Sequence, residues 1–286
     1  MPRGCWGSTD RRQGGSLTTP VRIGAVPYLN AVPLVYALEH ERGIAHERGI
    51  PHALTYAEPS VLAEQLRGGE IDVGLVPTME YLAGTGECIV PQVSISSCGR
   101  ARSVKLYSNK PWDEVRVVAA HSASRSSAAM AKVLLQEQYG HEVELRRMAP
   151  AVEEMLRCAD AALLIGDPCL AAPRSAAARV VDLGTVWENF TKLPFVYAVW
   201  ACAAKEPLAG LAEMLQEAKR RGVDAIGAIA RREAGRAGMS AHEIESYLGI
   251  DLNHDLSPAH MEGIRAFARL CVRHELLEET TDVRLA

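Results

Sequence analysis

Two polar stretches at the ends of apolar runs hold the side chains best suited to chemistry. Asn30 closes a Pro-Tyr-Leu-Asn turn after the apolar run Ile23–Val26, and its carboxamide can donate to and accept from a ligand. The stretch Ser122–Ser127 places four serines and Arg125 between a predicted strand and a predicted helix. Hydroxyls, a guanidinium and the free N–H groups of a helix start can together hold an anion. Both stretches also have an ordinary structural reading, because Asn favours turns and Ser caps helices.

Two further groups carry weaker signals. Gly166 and Asp167 follow the apolar run Ala161–Ile165, where Asp167 is either a general base or hydrogen-bond acceptor, or the N-cap of a helix that starts at Pro168. Ser103 follows Arg100 and Arg102, which either attract an anion or form a solvated basic loop. Ser103 has no neighbouring histidine in the sequence, so a Ser-His-Asp hydrolase is not supported.

The elements that must position these residues alternate between strands and helices. Apolar runs with helical segments between them predict an α/β protein with mostly parallel sheets. Two such sets are present, and they predict two lobes with a ligand cleft between them. We predict that residues 1–20 form a disordered tail, residues 21–100 with 201–286 the first lobe, and residues 101–200 the second lobe. Leu193–Ala203 is expected to be the strand on which the chain returns to the first lobe.

Composition limits the classes of function. The chain has 286 residues, a formal net charge of −4 and seven cysteines without a Cys-x-x-Cys pair. No overall basic character points to nucleic acid, and no apolar run approaches the ~20 residues of a membrane span. Dispersed cysteines and the lack of a secretory signal predict a cytoplasmic protein. The oligomeric state is not readable from the sequence.

Common cofactor and metal motifs are missing from the sequence. It contains no P-loop, no Gly-x-Gly-x-x-Gly, no His-Glu-x-x-His and no Gly-x-Ser-x-Gly, and its nine histidines form no ligand-spaced cluster. We therefore expect a site without metal or cofactor that binds a small anionic or hydroxylated ligand.

Five motifs, in order from about residue 20 to residue 275, resemble the chorismate dehydratases of the futalosine route to menaquinone. They are Arg22–Leu34, Glu70–Pro77, Ser124–Ser127, Leu163–Asp167 and Leu193–Trp200. The resemblance implies a two-lobed periplasmic-binding-protein-like fold of type II. It also implies a lyase that removes water from chorismate to give 3-[(1-carboxyvinyl)oxy]benzoate without a cofactor.

The resemblance also implies roles for individual residues. Asn30 would orient the ring hydroxyl or a carboxylate of the substrate, Ser126 and Ser127 would anchor a carboxylate, and Ser103 would contact the substrate. The remaining residues predicted to bind substrate are Ser124, Arg125 and Gly166. The proton acceptor is either a carboxylate of the substrate or Asp167.

Two other functions remain open for this fold. One is the sister enzyme that makes 1,4-dihydroxy-6-naphthoate, whose opening resembles Ser-Pro-Cys-Pro-Asn-Asp and whose site uses a histidine near Gly166 and Asp167. This chain has neither feature at these positions. The other is a non-catalytic protein that binds a small anion.

Overall fold

The computed structural model describes residues 19–40, 50–173, 176–279 and 282–286, so all but the last two residues of the predicted tail lie outside it. Ten strands are described: β1 Val21–Ala25, β2 His52–Tyr56, β3 Val73–Pro77, β4 Cys88–Ser97, β5 Val104–Ser108, β6 Val117–His121, β7 Glu144–Met148, β8 Ala161–Ile165, β9 Arg179–Asp182 and β10 Phe195–Cys202.

Eleven α-helices are described in the same ranges: α1 Val32–His40, α2 Pro59–Arg67, α3 Thr78–Leu82, α4 Ser126–Tyr139, α5 Val152–Cys158, α6 Gly166–Ala171, α7 Leu183–Thr191, α8 Leu211–Asp224, α9 Ile226–Arg232, α10 Ala241–Ser246 and α11 Pro258–Arg273. Within these described residues, no helix combines the length and apolar character needed to cross a bilayer.

The strands form two five-stranded mixed sheets. The first has the order β2-β1-β3-β10-β4 and the second the order β7-β6-β8-β5-β9. In each sheet, three parallel strands come from consecutive β-α-β units, a fourth strand pairs antiparallel to them, and the fifth pairs antiparallel to the fourth. The α/β class predicted from the sequence is therefore confirmed.

The chain passes from the second sheet back to the first before the predicted lobe boundary between residues 200 and 201. That boundary falls inside β10, and the whole of β10 pairs in the first sheet, antiparallel to β3 and β4. Its apolar sequence suits this place, because a central strand is buried on both faces. The chain therefore returns to the first sheet before Phe195, through the segment that contains α7.

The helices of the last third pack against the first sheet. Helix α8 lies against α1 and β4, and α11 lies against β10 and α4. Trp187, Phe195 and Phe267 pack edge to face, with ring centroids 5.0 to 6.0 Å apart, where α7, β10 and α11 meet. The buried aromatic cluster joins the return segment to the C-terminal helices.

Local sequence signals set several element ends. Ser240 forms a capping box with Glu243 at the start of α10. Gly140 ends α4 with a φ of +69°, a left-handed conformation that glycine adopts without steric strain. The alternative that Asp167 caps a helix starting at Pro168 is wrong, because α6 begins at Gly166 and its N-cap is Ile165. Asp167 instead lies in the first turn of α6, with its carboxylate free for contacts elsewhere.

Candidate active site

A cleft of about 470 Å³ lies where the carboxyl ends of the parallel strands of the two sheets meet. The first sheet and its loops supply Val26, Tyr28, Asn30, Pro59, Leu75, Pro77, Ile95, Tyr197 and Ala198, and the second supplies Ala123, Ser124, Arg125, Ser126, Ser127 and Ile165. The walls are mostly apolar, with a few polar groups, which is typical of small-molecule sites. Among these lining residues, Arg125 alone carries a charge.

The Asn30 turn is held from behind by an apolar anchor. Leu29 is completely buried in a cluster with Ile226 and Tyr247, and the Ala31 N–H donates to the Tyr28 carbonyl at 3.0 Å. The Asn30 Oδ1 atom is buried and has no hydrogen-bond partner among the described residues. A buried polar atom without a partner is unfavourable, so a ligand that donates a hydrogen bond would satisfy it.

The hydroxyls of the Ser-rich turn differ in their hydrogen bonds: Ser126 Oγ bonds to the protein, whereas Ser124 Oγ bonds to none of the described residues. The Met79 N–H donates to Ser126 Oγ at 3.1 Å, and this hydroxyl donates to the Tyr197 carbonyl at 3.0 Å. The Ser126 side chain therefore joins the lobes. Ser124 Oγ is buried in the same cleft and has no partner within the described ranges. The Ser124 hydroxyl therefore remains for a ligand.

The first turn of α4 opens into the cleft between these residues. In the described structure the N-cap residue of this 14-residue helix makes no side-chain capping bond, and the hydrogen bond from the Ala129 N–H to the Arg125 carbonyl starts its ladder. The N–H groups of Ser126 and Ser127 precede that first bond, so they are available to an anion at the positive end of the helix dipole.

The Arg125 side chain is held by a buried carboxylate. Its Nε lies 2.9 Å from Glu80 Oε1, and Arg67 Nη2 lies 2.9 Å from the other Glu80 oxygen. Only 5% of the Glu80 side chain is exposed, whereas 35% of the Arg125 side chain remains accessible at the cleft. The pairing fixes the orientation of Arg125 and leaves its charge next to the site.

Three of the predicted site residues lie outside the lining. Ser103 is buried next to the Tyr247 hydroxyl, and its carbonyl accepts from the Gly166 N–H at 2.8 Å. Gly166 adopts a φ of +62° behind the Tyr28 ring. Asp167 accepts hydrogen bonds from the Leu29 N–H and from Arg236, at 3.2 and 2.8 Å. The structure thus brings together Asn30 with Ser124–Ser127, and places these three residues behind the turn.

The structure also adds residues that sequence reasoning missed. The Tyr28 hydroxyl donates to Glu58 Oε2 at 2.6 Å, and burial together with this bond raises the pKa of Tyr28. His121 ends β6 beside the cleft, and burial lowers its pKa despite the nearby Glu58 carboxylate. The position of His121, directly before the Ser-rich turn, was a usable signal. The Tyr28–Glu58 contact joins residues 30 positions apart, so no local sequence pattern could have indicated it.

The fold and the cleft define a two-lobed periplasmic-binding-protein-like protein. Two solved structures share this fold. Protein AF1704 from Archaeoglobus fulgidus has a TM-score of 0.67 at 12% identity, over 91% of this chain and 100% of that one. The periplasmic aliphatic sulphonate binding protein SsuA from Escherichia coli has a TM-score of 0.61 at 18% identity, over 92% of this chain and 90% of that one.

The chain belongs to the menaquinone biosynthesis family, whose model matches residues 21–273. A curated relative, the chorismate dehydratase of Thermus thermophilus, is 31% identical over 231 residues, which cover 74% of this chain and 84% of that protein. The family resemblance carried by the five sequence motifs is confirmed, as is the prediction of an enzyme of the dehydratase type.

Proposed function

We propose that this protein removes water from chorismate and forms 3-[(1-carboxyvinyl)oxy]benzoate in the futalosine route to menaquinone. The observation that carries the proposal is the combination of two polar atoms without a partner among the described residues, Asn30 Oδ1 and Ser124 Oγ, with the positive charge of Arg125 and the start of α4. Chorismate carries a ring hydroxyl and two carboxylates, so each polar group of the cleft has a matching group on the substrate.

The reaction breaks the bond from the ring carbon to the hydroxyl oxygen and removes a ring proton. The electrons of that C–H bond enter the ring, which becomes aromatic, and the abstracted proton ends on the departing hydroxyl, which leaves as water. Asn30 holds the ring hydroxyl, and the N–H groups of Ser126 and Ser127 hold a carboxylate, so catalysis rests on orientation and electrostatic stabilisation. Asp167 is poorly placed to take the proton because both of its oxygens are occupied by Leu29 and Arg236. We assign that step to a carboxylate of the substrate.

We place the reaction in the cytoplasm. The seven cysteines are dispersed along the sequence without a Cys-x-x-Cys pair, which supports a reducing compartment.

The direct test is incubation of purified protein with chorismate, followed by chromatography for the aromatic product. Product formation without other reactants supports the proposal. A protein that releases no product but is stabilised by small dicarboxylates would instead be a non-catalytic anion-binding protein of the same fold.

Ser124→Ala is expected to raise KM for chorismate about tenfold, because one neutral hydrogen bond to the substrate is lost. Steady-state kinetics measure the change. Ser122→Ala is the matched control, since Ser122 is exposed in the same turn and does not line the cleft. Equal KM values in the two variants would contradict the role of Ser124.

Arg125→Gln is expected to raise KM about 10- to 100-fold and to leave kcat nearly unchanged, because a charged contact to a substrate carboxylate is lost. Arg67→Gln tests whether the effect comes from Glu80 instead, since Arg67 pairs with the same carboxylate outside the cleft lining. The assignment of Arg125 is wrong if both variants show the same rise in KM.

A further inference from the structure

A short segment of the C-terminal third reaches over the back of the Asn30 turn. Residues 233–239, here called the Arg236 segment, join α9 to α10 and contact α6 of the second lobe. Gly235 and Gly238 have φ values of +91° and +72°, and the Gly235 N–H donates to the Met239 carbonyl at 2.8 Å. These glycines allow the tight loop that directs Arg236 toward both lobes.

The Arg236 guanidinium donates to three acceptors from three separate parts of the chain. Its Nε donates to Asp167 Oδ2 at 2.8 Å, its Nη2 to the Pro27 carbonyl at 2.5 Å, and its Nη1 to Glu233 Oε2 at 3.1 Å. Asp167 belongs to the second lobe and Pro27 to the first. The planar fork of arginine suits such a junction, because its donors point in fixed directions.

The other oxygen of Asp167 completes the junction. Asp167 Oδ1 accepts from the Leu29 N–H at 3.2 Å. Pro27 and Leu29 flank Tyr28, and Leu29 directly precedes Asn30. The Asp167–Arg236 pair therefore holds the backbone of the turn on both sides of Tyr28, one residue away from the carboxamide that faces the cleft.

The Arg236–Asp167 ion pair is partly exposed to solvent, and this exposure limits what the pair contributes to global stability. The side chains of Arg236 and Asp167 are 29% and 22% exposed, respectively. Ion pairs that water reaches contribute little to global stability. Loss of Arg236 should therefore change the placement of the turn much more than the melting temperature.

We infer that Arg236 is a positioning residue, which acts through Asp167 and the Pro27 carbonyl to fix the turn that presents Asn30 to the substrate. The inference rests on the proposed function for its kinetic consequence. A displacement of about 1 Å in a reacting group can slow an enzyme about 100-fold, so turnover depends on a side chain outside the cleft.

The test compares Arg236→Gln, Arg236→Lys and Arg232→Gln by steady-state kinetics and by hydrogen exchange of the amides of residues 29–32. Arg236→Gln should lower kcat about 10- to 100-fold, leave KM within about threefold, and speed exchange of these amides. Arg236→Lys should recover part of kcat, since lysine keeps the charge toward Asp167 but lacks the fork. Arg232 pairs with the other Glu233 oxygen and contacts Tyr36 and His40 of α1, but among the described residues it bonds neither Asp167 nor Pro27, so Arg232→Gln should behave like the wild type.

The two readouts separate this inference from the proposed function. If the wild type does not turn over chorismate, the proposed function fails, and faster exchange in Arg236→Gln alone still supports the positioning role. Unchanged exchange of residues 29–32 in Arg236→Gln overturns the inference, whatever happens to kcat. An effect of the same size in Arg232→Gln also overturns it, because the effect would then belong to the whole segment.

Discussion

Asn30→Ala is expected to lower kcat for chorismate dehydration about 100- to 1,000-fold, the loss seen when a preorganised polar group at a reacting centre is removed. The carboxamide oxygen of Asn30 is buried at the cleft and has no partner among the described residues, so it supports no contact of the folded protein that alanine would break. The melting temperature should therefore stay near that of the wild type. Steady-state kinetics and thermal unfolding monitored by circular dichroism measure the two quantities.

Asn30→Asp is the companion variant, because it keeps the shape of the side chain and removes the amide N–H donors. The new carboxylate would face an anionic substrate across the cleft, so this variant should also lose most of its turnover. Wild-type kcat in Asn30→Ala would show that the Asn30 turn is not the reaction centre. A loss of kcat that follows unfolding of the variant would equally contradict the prediction.

Gly222→Ala is expected to destabilise the protein by about 3 kcal/mol or more, the upper range of overpacking effects. Gly222 lies in α8 where this helix crosses α1, and a Cβ atom would stand only 1.7 Å from the Pro33 carbonyl oxygen. The obstacle is backbone rather than a side chain that can rotate away, so the helices must separate. For a protein of this size, we expect a fall in melting temperature of about 6 °C or more.

Gly227→Ala in the next helix is the matched control. A Cβ atom on Gly227 would meet nothing closer than Glu245 Oε1, at 3.6 Å, and its helical backbone suits alanine. This variant should gain about 0.5–1 kcal/mol, because alanine loses less conformational freedom on folding than glycine. Melting temperatures that move in the same direction for both variants would contradict the packing argument.

Gly222→Ala should also reduce turnover. Helix α1 begins two residues after Asn30, so a movement of Pro33 would shift the end of the Asn30 turn. The two predictions therefore concern the same part of the protein, the Asn30 turn and helix α1. One removes the carboxamide that faces the cleft, and the other disturbs the helix contact that supports the turn.

Local sequence patterns account for the strands, the helix ends and the two turns at the cleft. Apolar runs mark strands, and Gly140 and the Ser240 capping box mark helix ends, because these signals act within a few residues. The sequence also placed Asn30 and the Ser-rich turn at the carboxyl ends of strands, which is where ligands bind in open α/β sheets.

The packing of the lobes sets which polar groups support the fold and which face the cleft. Ser124 and Ser126 look alike in the sequence, yet Ser126 is bonded to Met79 and Tyr197, while the Ser124 hydroxyl has no partner in the part of the chain that the structure describes. Asp167 meets Arg236, 69 residues away, and so lies behind the turn instead of in the cleft. The physical reason is the same in each case. A hydrogen bond between distant residues depends on how whole lobes and helices pack, and no local pattern records that packing.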